Sequence, residues 1–291
     1  MAQTGHLTGA PAAAAGPWLS PVTRLRIIIL LTILVIWEGV AASGILLREV
    51  VPSVVVIGRA LAELLFHPDL KWPVDIGIGS LRFVQQLWVP AFYWHLYVTV
   101  MEVATALVIG GTTGLAVGLA LGANPFLSKT FERYLYYLGP TPKIVFFPVM
   151  IMWFGVGPES KIAMGTLSCF FPIVLTTARG LREVEPDLLD LVRTLKGSRW
   201  QVFTKIQLPG ALPYIFAGMK VAAILAVAGA IVGEFLGSDR GLGYLMLQVQ
   251  VTLDTAAMFM AVILITLIGM LLYGLVLALE HALVVRDARI Q

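Results

Sequence analysis

An all-α membrane protein with six transmembrane helices is the fold class this sequence predicts, and three observations predict it. The 291 residues are 58% hydrophobic and only 13% charged, with a mean hydropathy of +0.89, whereas soluble domains carry about 25% charged residues. Apolar stretches near the roughly 20 residues that cross a bilayer recur along the chain. A charged, amphipathic island, Asp190–Pro209, then separates two of them.

A soluble core of this size could not hide so much apolar surface, so lipid must be the solvent for much of the chain. The net charge of +3 is small and its basic residues are spread among loops, which argues against a nucleic-acid partner. The single Cys169 lies in an apolar run; it excludes a disulfide framework or a Cys-based metal site and reads as a small core residue.

Residues 1–20 are rich in Ala, Gly and Pro and lack Lys and Arg, unlike the basic start of a secretory signal. They read as a disordered cytoplasmic tail, and 21–291 as the transmembrane domain. The expected spans are Ile27–Leu47, Trp94–Leu121, Tyr134–Phe154, Ile162–Ala178, Leu212–Val232 and Met258–Leu279. Pro172 is expected to kink the fourth.

An even number of spans puts both termini on one side, and Lys and Arg choose it. That side collects Arg24, Arg26, Lys129, Arg133, Arg179, Arg182, Arg193, Lys196, Arg199, Lys205, Arg286 and Arg289; the other holds Arg48, Arg59, Lys71, Arg82, Lys161 and Arg240. Both termini and the island are therefore expected in the cytoplasm of a bacterial cell, with the chain in its inner membrane. The segment 47–93 is then the longest outer connection. Within it, Val54–Phe66 has a helical apolar pattern too short to span and reads as an interfacial helix. His67–Pro90 reads as a surface excursion.

The island, with its surroundings 183–210, can be followed residue by residue. Pro186 suits a first helical turn and Asp187 its positive end. Leu188, Leu189, Val192 and Leu195 recur at helical spacing. Gly197 breaks that helix. Ser198 and Gln201 then make an S-x-x-Q capping box for a second short helix through Lys205, with Trp200, Phe203 and Ile206 as its apolar face. Pro209 and Pro213 are expected to limit its extension.

This loop resembles the cytoplasmic signature of binding-protein-dependent ABC importer permeases: Glu-Ala-Ala, three residues, Gly, then Ile-x-Leu-Pro. Ser198-Arg199-Trp200, Phe203, Ile206, Leu208, Pro209 and Pro213 match the branch that handles nitrate, sulfonates and taurine, and Asp190 falls where the acidic residue belongs. Leu191 and Val192 replace the two Ala residues, and Lys196 takes the usual Gly position, with Gly197 one residue later. Trp153–Gly157, Phe170–Val174, Glu185–Leu189 and Gly241–Tyr244 look like further landmarks of the branch in the same order. Val51-Pro52-Ser53, within Leu47–Val55, resembles its leucine-proline-serine lead-in. The 67–90 stretch looks longer than is usual there, either a contact for the binding protein or an idle insertion.

The resemblance implies a type I ABC importer (MetI-like) permease fold working as a dimer, most simply of two copies. A coupling helix in each subunit would sit in a groove of a cytoplasmic ATPase. A periplasmic solute-binding protein would deliver the solute, and alternating access would carry it across. ATP and Mg would be bound by the ATPase, leaving no cofactor in this chain, which contains no G-x-x-x-x-G-K-[ST] loop. The solute class implied is a small anion such as a sulfonate, nitrate, taurine or an aromatic carboxylate, with a pyrimidine-type thiamin precursor as the alternative.

Several residues are candidates for the path. Ionisable groups inside spans are costly and normally face protein or water; Glu38, Glu102, Lys143 and Glu234 qualify. Lys143 follows the helix-breaking Gly139-Pro140-Thr141-Pro142, and broken spans are tolerated only against protein or a wet cavity. It either attracts an anionic solute or snorkels. Glu38 pairs or snorkels. Glu234 either braces an outer gate or pairs with Arg240. Met150, Met152, Met164, Phe170 and Phe171 form an apolar constriction or are core. Gly110, Gly114, Gly118 and Gly122 make a smooth ridge, expected to pack within the subunit rather than at a dimer seam.

Two rival classes are weaker. A membrane-embedded enzyme would cluster its His or carboxylates, but His6, His67, His95 and His281 are scattered. An ion-coupled secondary transporter would show inverted repeats and midplane acids. Neither gives the island a role.

Overall fold

The computed structural model describes residues 20–44, 51–67, 70–78, 81–89, 91–184 and 186–287. The expected N-terminal tail (1–19), the expected end of the first span with the start of its lead-in (45–50), Glu185 and Arg289 lie outside the described residues. Met1–Val54 and Val55–Gln291 are two compact units.

In the first unit, α1 spans Pro21–Ser43. Ser20 accepts the Thr23 amide at 3.1 Å, Pro21 takes a first-turn position that needs no donor, and Gly44 closes the helix at a left-handed φ of 69°. Trp37 donates Nε1–H to the Pro52 carbonyl at 3.0 Å, and Glu38 accepts the Val54 amide at 3.0 Å. Glu38 thus serves a backbone donor at the start of the next helix.

In the second unit, α2 (Val54–Phe66) matches the expected short helix, and Ile57, Leu61, Leu64 and Leu65 pack on the main core. The surface excursion is an antiparallel hairpin. β1 (Leu70–Ile78) pairs with β2 (Leu81–Val89), from Leu70 opposite Val89 to Ile78 opposite Leu81. Its β-branched and aromatic residues favour strand over helix. Elsewhere the described chain is helical: α3 (Ala91–Ala123), α4 (Pro125–Leu138), α5 (Phe147–Phe154), α6 (Pro158–Gly180), α7 (Pro186–Thr194), α8 (Arg199–Val202), α9 (Leu208–Gly237), α10 (Leu242–Val251) and α11 (Thr255–Asp287).

Among the described residues five helices are long and apolar enough to cross a membrane, and six spans result if one bent pair counts as a span. That pair is the third expected span, interrupted at the helix-breaking run within it. Tyr134–Phe154 is not one helix: α4 and a 3-10 turn (Lys143–Phe146) running into α5 meet at 91°. Pro140 and Pro142 lack amide donors, so two of the ladder's hydrogen bonds are lost across Gly139–Pro142.

A correction concerns the island. Pro209 and Pro213 do not stop its second helix. After α8, a π-turn over Phe203–Gln207 passes straight into α9, giving a continuous helical stretch Arg199–Gly237. The Leu208 amide reaches back to the Phe203 carbonyl, and this wider turn precedes Pro209, which has no donor to place. The fourth span also begins earlier than expected, at Pro158, and runs through Pro172 to Gly180.

The core is built around α6. The ridge of α3 lies flat along it: Cβ atoms added at Gly110, Gly114 and Gly118 would come within 2.8 Å of Thr166 O, 3.0 Å of Phe170 O and 2.6 Å of Thr177 Cβ. The order of these contacts shows that α3 and α6 run parallel. The expected packing of the ridge within the subunit is what the structure shows. On its other side α6 meets α9 antiparallel, with Gly229 against Gly165 and Gly233 against Lys161. Phe216 and Ala223 of α9 then bury against Val276 of α11.

Candidate functional site

Three places bring chemically suggestive residues together. The first is the elbow. α7 ends in a Schellman-type turn in which the Gly197 amide donates to the Val192 carbonyl at 2.9 Å and Lys196 adopts a left-handed φ of 55°. Lys196 therefore occupies the conformation that suits glycine. A Cβ on Gly197 would run into Val192 Cγ1, so the Val that replaces a smaller residue is accommodated only because Gly follows. Ser198 caps α8: its hydroxyl accepts the Gln201 amide at 3.3 Å and the Gln201 side chain accepts the Ser198 amide at 2.8 Å. Both halves of the expected box are present.

Trp200 stacks on Phe203 with centroids 5.8 Å apart, yet is 71% exposed. Leu188 and Leu195 are exposed as well. Asp190, Lys196, Ser198, Arg199 and Pro209 lie at the surface, while Val192, Gly197, Phe203, Ile206 and Leu208 are half-buried. The side chain of Leu191 lies outside the described residues. Phe203 and Leu208 anchor the elbow on Leu181, Ala211 and Ile215. Beneath it a groove of about 950 Å³ is walled by Leu119, Ala123 and Pro125 on one side and Leu189, Gly197, Trp200 and Phe203 on the other. Arg182 braces the approach with a bidentate fork to Glu132, at 2.5 and 2.6 Å.

The second place is the break between α4 and α5. Lys143 Nζ donates to the Gly139 carbonyl at 2.5 Å and lies 5.2 Å from the Phe171 ring centre, so its ammonium spans the break. Phe171 meets Phe170 edge-on at 5.4 Å. The other path candidates do not join them. Met164 is buried in the bundle two turns away on α6, Met150 is half-buried, Met152 is exposed, and Glu234 lies elsewhere.

The third place is the opposite end of α9 from the elbow. Glu234 is fully buried and accepts the Thr99 hydroxyl at 2.6 Å and the Gly243 amide at 2.6 Å. Thr99 accepts the Leu242 amide at 2.8 Å, and His95 Nδ1 accepts the Gly241 amide at 3.0 Å. The start of α10 is thus clamped to α3. This clamp accounts for the Gly-Leu-Gly run: Gly241 has φ 102°, and Cβ atoms at Gly241 and Gly243 would strike the Glu234 side chain. Glu234 does not pair with Arg240, whose guanidinium goes to Asp239 at 3.2 Å and lies 5.9 Å from the Trp94 ring.

Beside the clamp lies a cavity of about 580 Å³ lined by Trp94, Tyr97, Met101, Glu102, Lys161 and Arg240, among others. Lys161, expected in an outer loop, is 1% exposed and donates to the Val156 and Gly157 carbonyls. A span that begins at Ile162 leaves Lys161 outside it, whereas the helix begins at Pro158. Pro158 followed by Glu159, a strong helix-start pair, was the available signal. Thr99 and His95 carried no local signal at all.

Residues 110–285, more than half of the chain, match the family described as binding-protein-dependent transport system inner membrane component. The chain belongs to this family. The permease is 31% identical over 242 residues to a probable ABC transporter permease protein of Haemophilus influenzae, covering 83% of this chain and 89% of the relative. It is 27% identical to a putative aliphatic sulfonates transport permease protein of Bacillus subtilis, over 86% of this chain and 83% of that one. It is 30% identical to a formylaminopyrimidine transport permease protein of Halalkalibacterium halodurans, over 78% and 90%. A solved methionine ABC transporter in an inward-facing conformation shares the fold, with a TM-score of 0.52 and 22% identity over 63% of this chain and 94% of that chain. The permease is therefore a membrane-embedded transport subunit of an ATP-driven importer and not itself an enzyme. Its function entails a solute-binding protein and ATPase subunits.

Proposed function

We propose that the elbow is the coupling element of this permease and that Asp190, Leu191, Val192, Lys196, Gly197, Ser198, Arg199, Trp200, Phe203, Ile206, Leu208 and Pro209 form or shape the surface that meets the ATPase. One observation carries this reading: between two spans the chain builds a self-capped helical turn that leaves Leu188, Leu195 and Trp200 exposed. Exposed apolar side chains grouped on a polar loop mark a protein contact. The π-turn into α9 supports the reading, because Arg199–Gly237 is one continuous stretch and a push on α8 passes to a spanning helix without a flexible joint.

On this reading the termini and elbow are cytoplasmic, two copies of the permease form the path, and ATP and Mg reside in the ATPase. The solute is drawn from the small polar compounds that its relatives are named for: sulfonates, taurine, nitrate or a formylaminopyrimidine. Lys143, with Phe170 and Phe171, is the part of the candidate path that stays together.

The test is to purify the permease from native membranes in mild detergent and identify what accompanies it by mass spectrometry. An ABC ATPase at equal stoichiometry is expected, and its loss in a Trp200→Ala variant that still reaches the membrane. Recovery of the permease alone, even after crosslinking, would overturn the coupling role. Uptake of an anionic solute by Lys143→Ala at unchanged apparent affinity would remove that residue from the path.

A further inference from the structure

We propose that the hairpin β1–β2 is a membrane-surface element. It lays one apolar face on the lipid at the end of the bundle that carries the Glu234 clamp, and holds its charged face at the level of the phosphates.

The strand register sorts the hairpin into two unlike faces. Successive residues of a strand alternate between faces, and directly paired residues share one. From Leu70 opposite Val89 to Ile78 opposite Leu81, the even-numbered residues of β1 therefore share a face with the odd-numbered residues of β2. All of these but Gln85 are apolar, Trp72, Ile76, Phe83 and Leu87 among them. The other face carries every charge of the two strands: Lys71 and Asp75 on β1 and Arg82 on β2.

A two-stranded hairpin is marginal in water by itself, so its apolar face needs a cover. The way the hairpin is attached points to lipid. Residues 68–69 lead from His67 to Leu70, and Pro90 alone leads from Val89 to Ala91. At no more than about 3.6 Å per residue, the base of the hairpin stays at the start of α3, a helix long and apolar enough to span. His95 of the clamp sits in the second turn of that helix. Aromatic rings stand exposed at both roots, Phe66 at the end of α2 and Tyr93 in the first turn of α3, as suits a membrane–water boundary.

The composition of the face argues in the same direction. A transient protein contact is only about 56–58% non-polar by area, and a partner that comes and goes would leave this face bare to water between encounters. Lipid covers it continuously. On the other face Lys71 and Arg82 outnumber Asp75, which is the sign that complements anionic phospholipid. The backbone sets the depth. Among the described residues the sheet is two-stranded, so each strand has an outer row of amides and carbonyls, and such rows are not tolerated bare in hydrocarbon. The hairpin therefore lies flat in the interface, as amphipathic helices do, and does not cross.

The experiment uses the full-length permease in nanodiscs that contain anionic phospholipid. A phospholipid with a diazirine at the top of its acyl chain is photolysed and the adducts are located by mass spectrometry. Label is expected within 70–89, as on the exposed Leu271 of α11. Val74, Asp75, Ile76 and Gln86 are then changed one at a time to Cys and given an environment-sensitive dye, the native Cys169 being buried. Lipid-borne spin labels should quench the dye at least about twofold more at 74 and 76 than at 75 and 86, because neighbours in a strand lie on opposite faces. Aqueous iodide should show the reverse order. Zwitterionic nanodiscs, or Lys71→Ala combined with Arg82→Ala in anionic ones, should weaken the lipid quenching. Quenching indifferent to both changes would overturn the role of the charged face. Absence of photolabel between 70 and 89, or equal iodide quenching at all four positions, would overturn the proposal outright. So would shielding of 74 and 76 from both quenchers. A disulfide between two Ile76→Cys copies would then assign the face to a second permease, and shielding that requires added solute-binding protein would assign it to that protein.

Discussion

The helix starts at the two ends of α9 are held by opposite means. At the elbow, Ser198 and Gln201 satisfy each other's backbone amides across three residues. At the other end, the first donors of α10 go to Glu234, Thr99 and His95, the latter two separated from their partners by 143 and 146 residues. A locally capped turn keeps its hydrogen bonds wherever it is carried. A turn capped by other helices cannot move without orphaning buried donors, each costing about 1–3 kcal/mol. Displacing the elbow as a body therefore breaks none of its capping bonds, whereas displacing α10 from α3 breaks those to His95 and Thr99.

The largest blow to this contrast should come from Glu234→Ala. It strips the acceptor from Thr99 and Gly243 inside the bundle and should cost on the order of 3 kcal/mol, read as a drop in thermal midpoint in detergent. Glu234→Gln should recover part of it, since a carbonyl oxygen can still accept. An unchanged midpoint in the Ala variant would mean that the clamp does not hold α10.

Next in size is a matched pair of glycine changes. Gly241→Ala combines a positive φ with a collision against the Glu234 carboxylate, and Gly197→Ala collides with Val192 Cγ1. Each should destabilise by roughly 1–3 kcal/mol. Only the elbow defect should be repaired locally, by adding Val192→Ala. Denaturation of the three variants checks this, and an unrepaired double variant would refute the claim that Val192 dictates Gly197.

Ser198→Ala should cost about 1 kcal/mol of helix-start stability while the opposite end keeps its amide protection in hydrogen exchange. Protection lost at both ends would merge the two regions into one cooperative unit. The smallest effect has the opposite sign. Lys196→Gly relieves a left-handed non-glycine residue and should stabilise the α7 turn by about 1 kcal/mol, seen as slower exchange of the Gly197 amide.

The elbow was legible because its signals are local. Pro186, the break at Gly197, and Ser198 with Gln201 each act on amides within a few residues, and periodicity placed Val54–Phe66 as well. In the third span the breaker Gly139–Pro142 was legible, but its bend of 91° was not. Local rules state where a ladder stops, not where the chain resumes. Likewise Pro209 looked like a terminator because the π-turn that absorbs its missing donor forms from its neighbours' backbone and leaves no mark in composition.

By itself the sequence determined that the chain lives in lipid, how many apolar segments it has, where the elbow lies and which family signature it carries. All of these follow from hydropathy and from bonds between near neighbours. Only the tertiary structure decided that Lys161 is buried, that the glycine ridge of α3 seats on α6, and that Glu234 serves Thr99 and Gly243 rather than Arg240. Those contacts join residues far apart in the chain, where apolar periodicity is the same on every face and packing alone chooses among them.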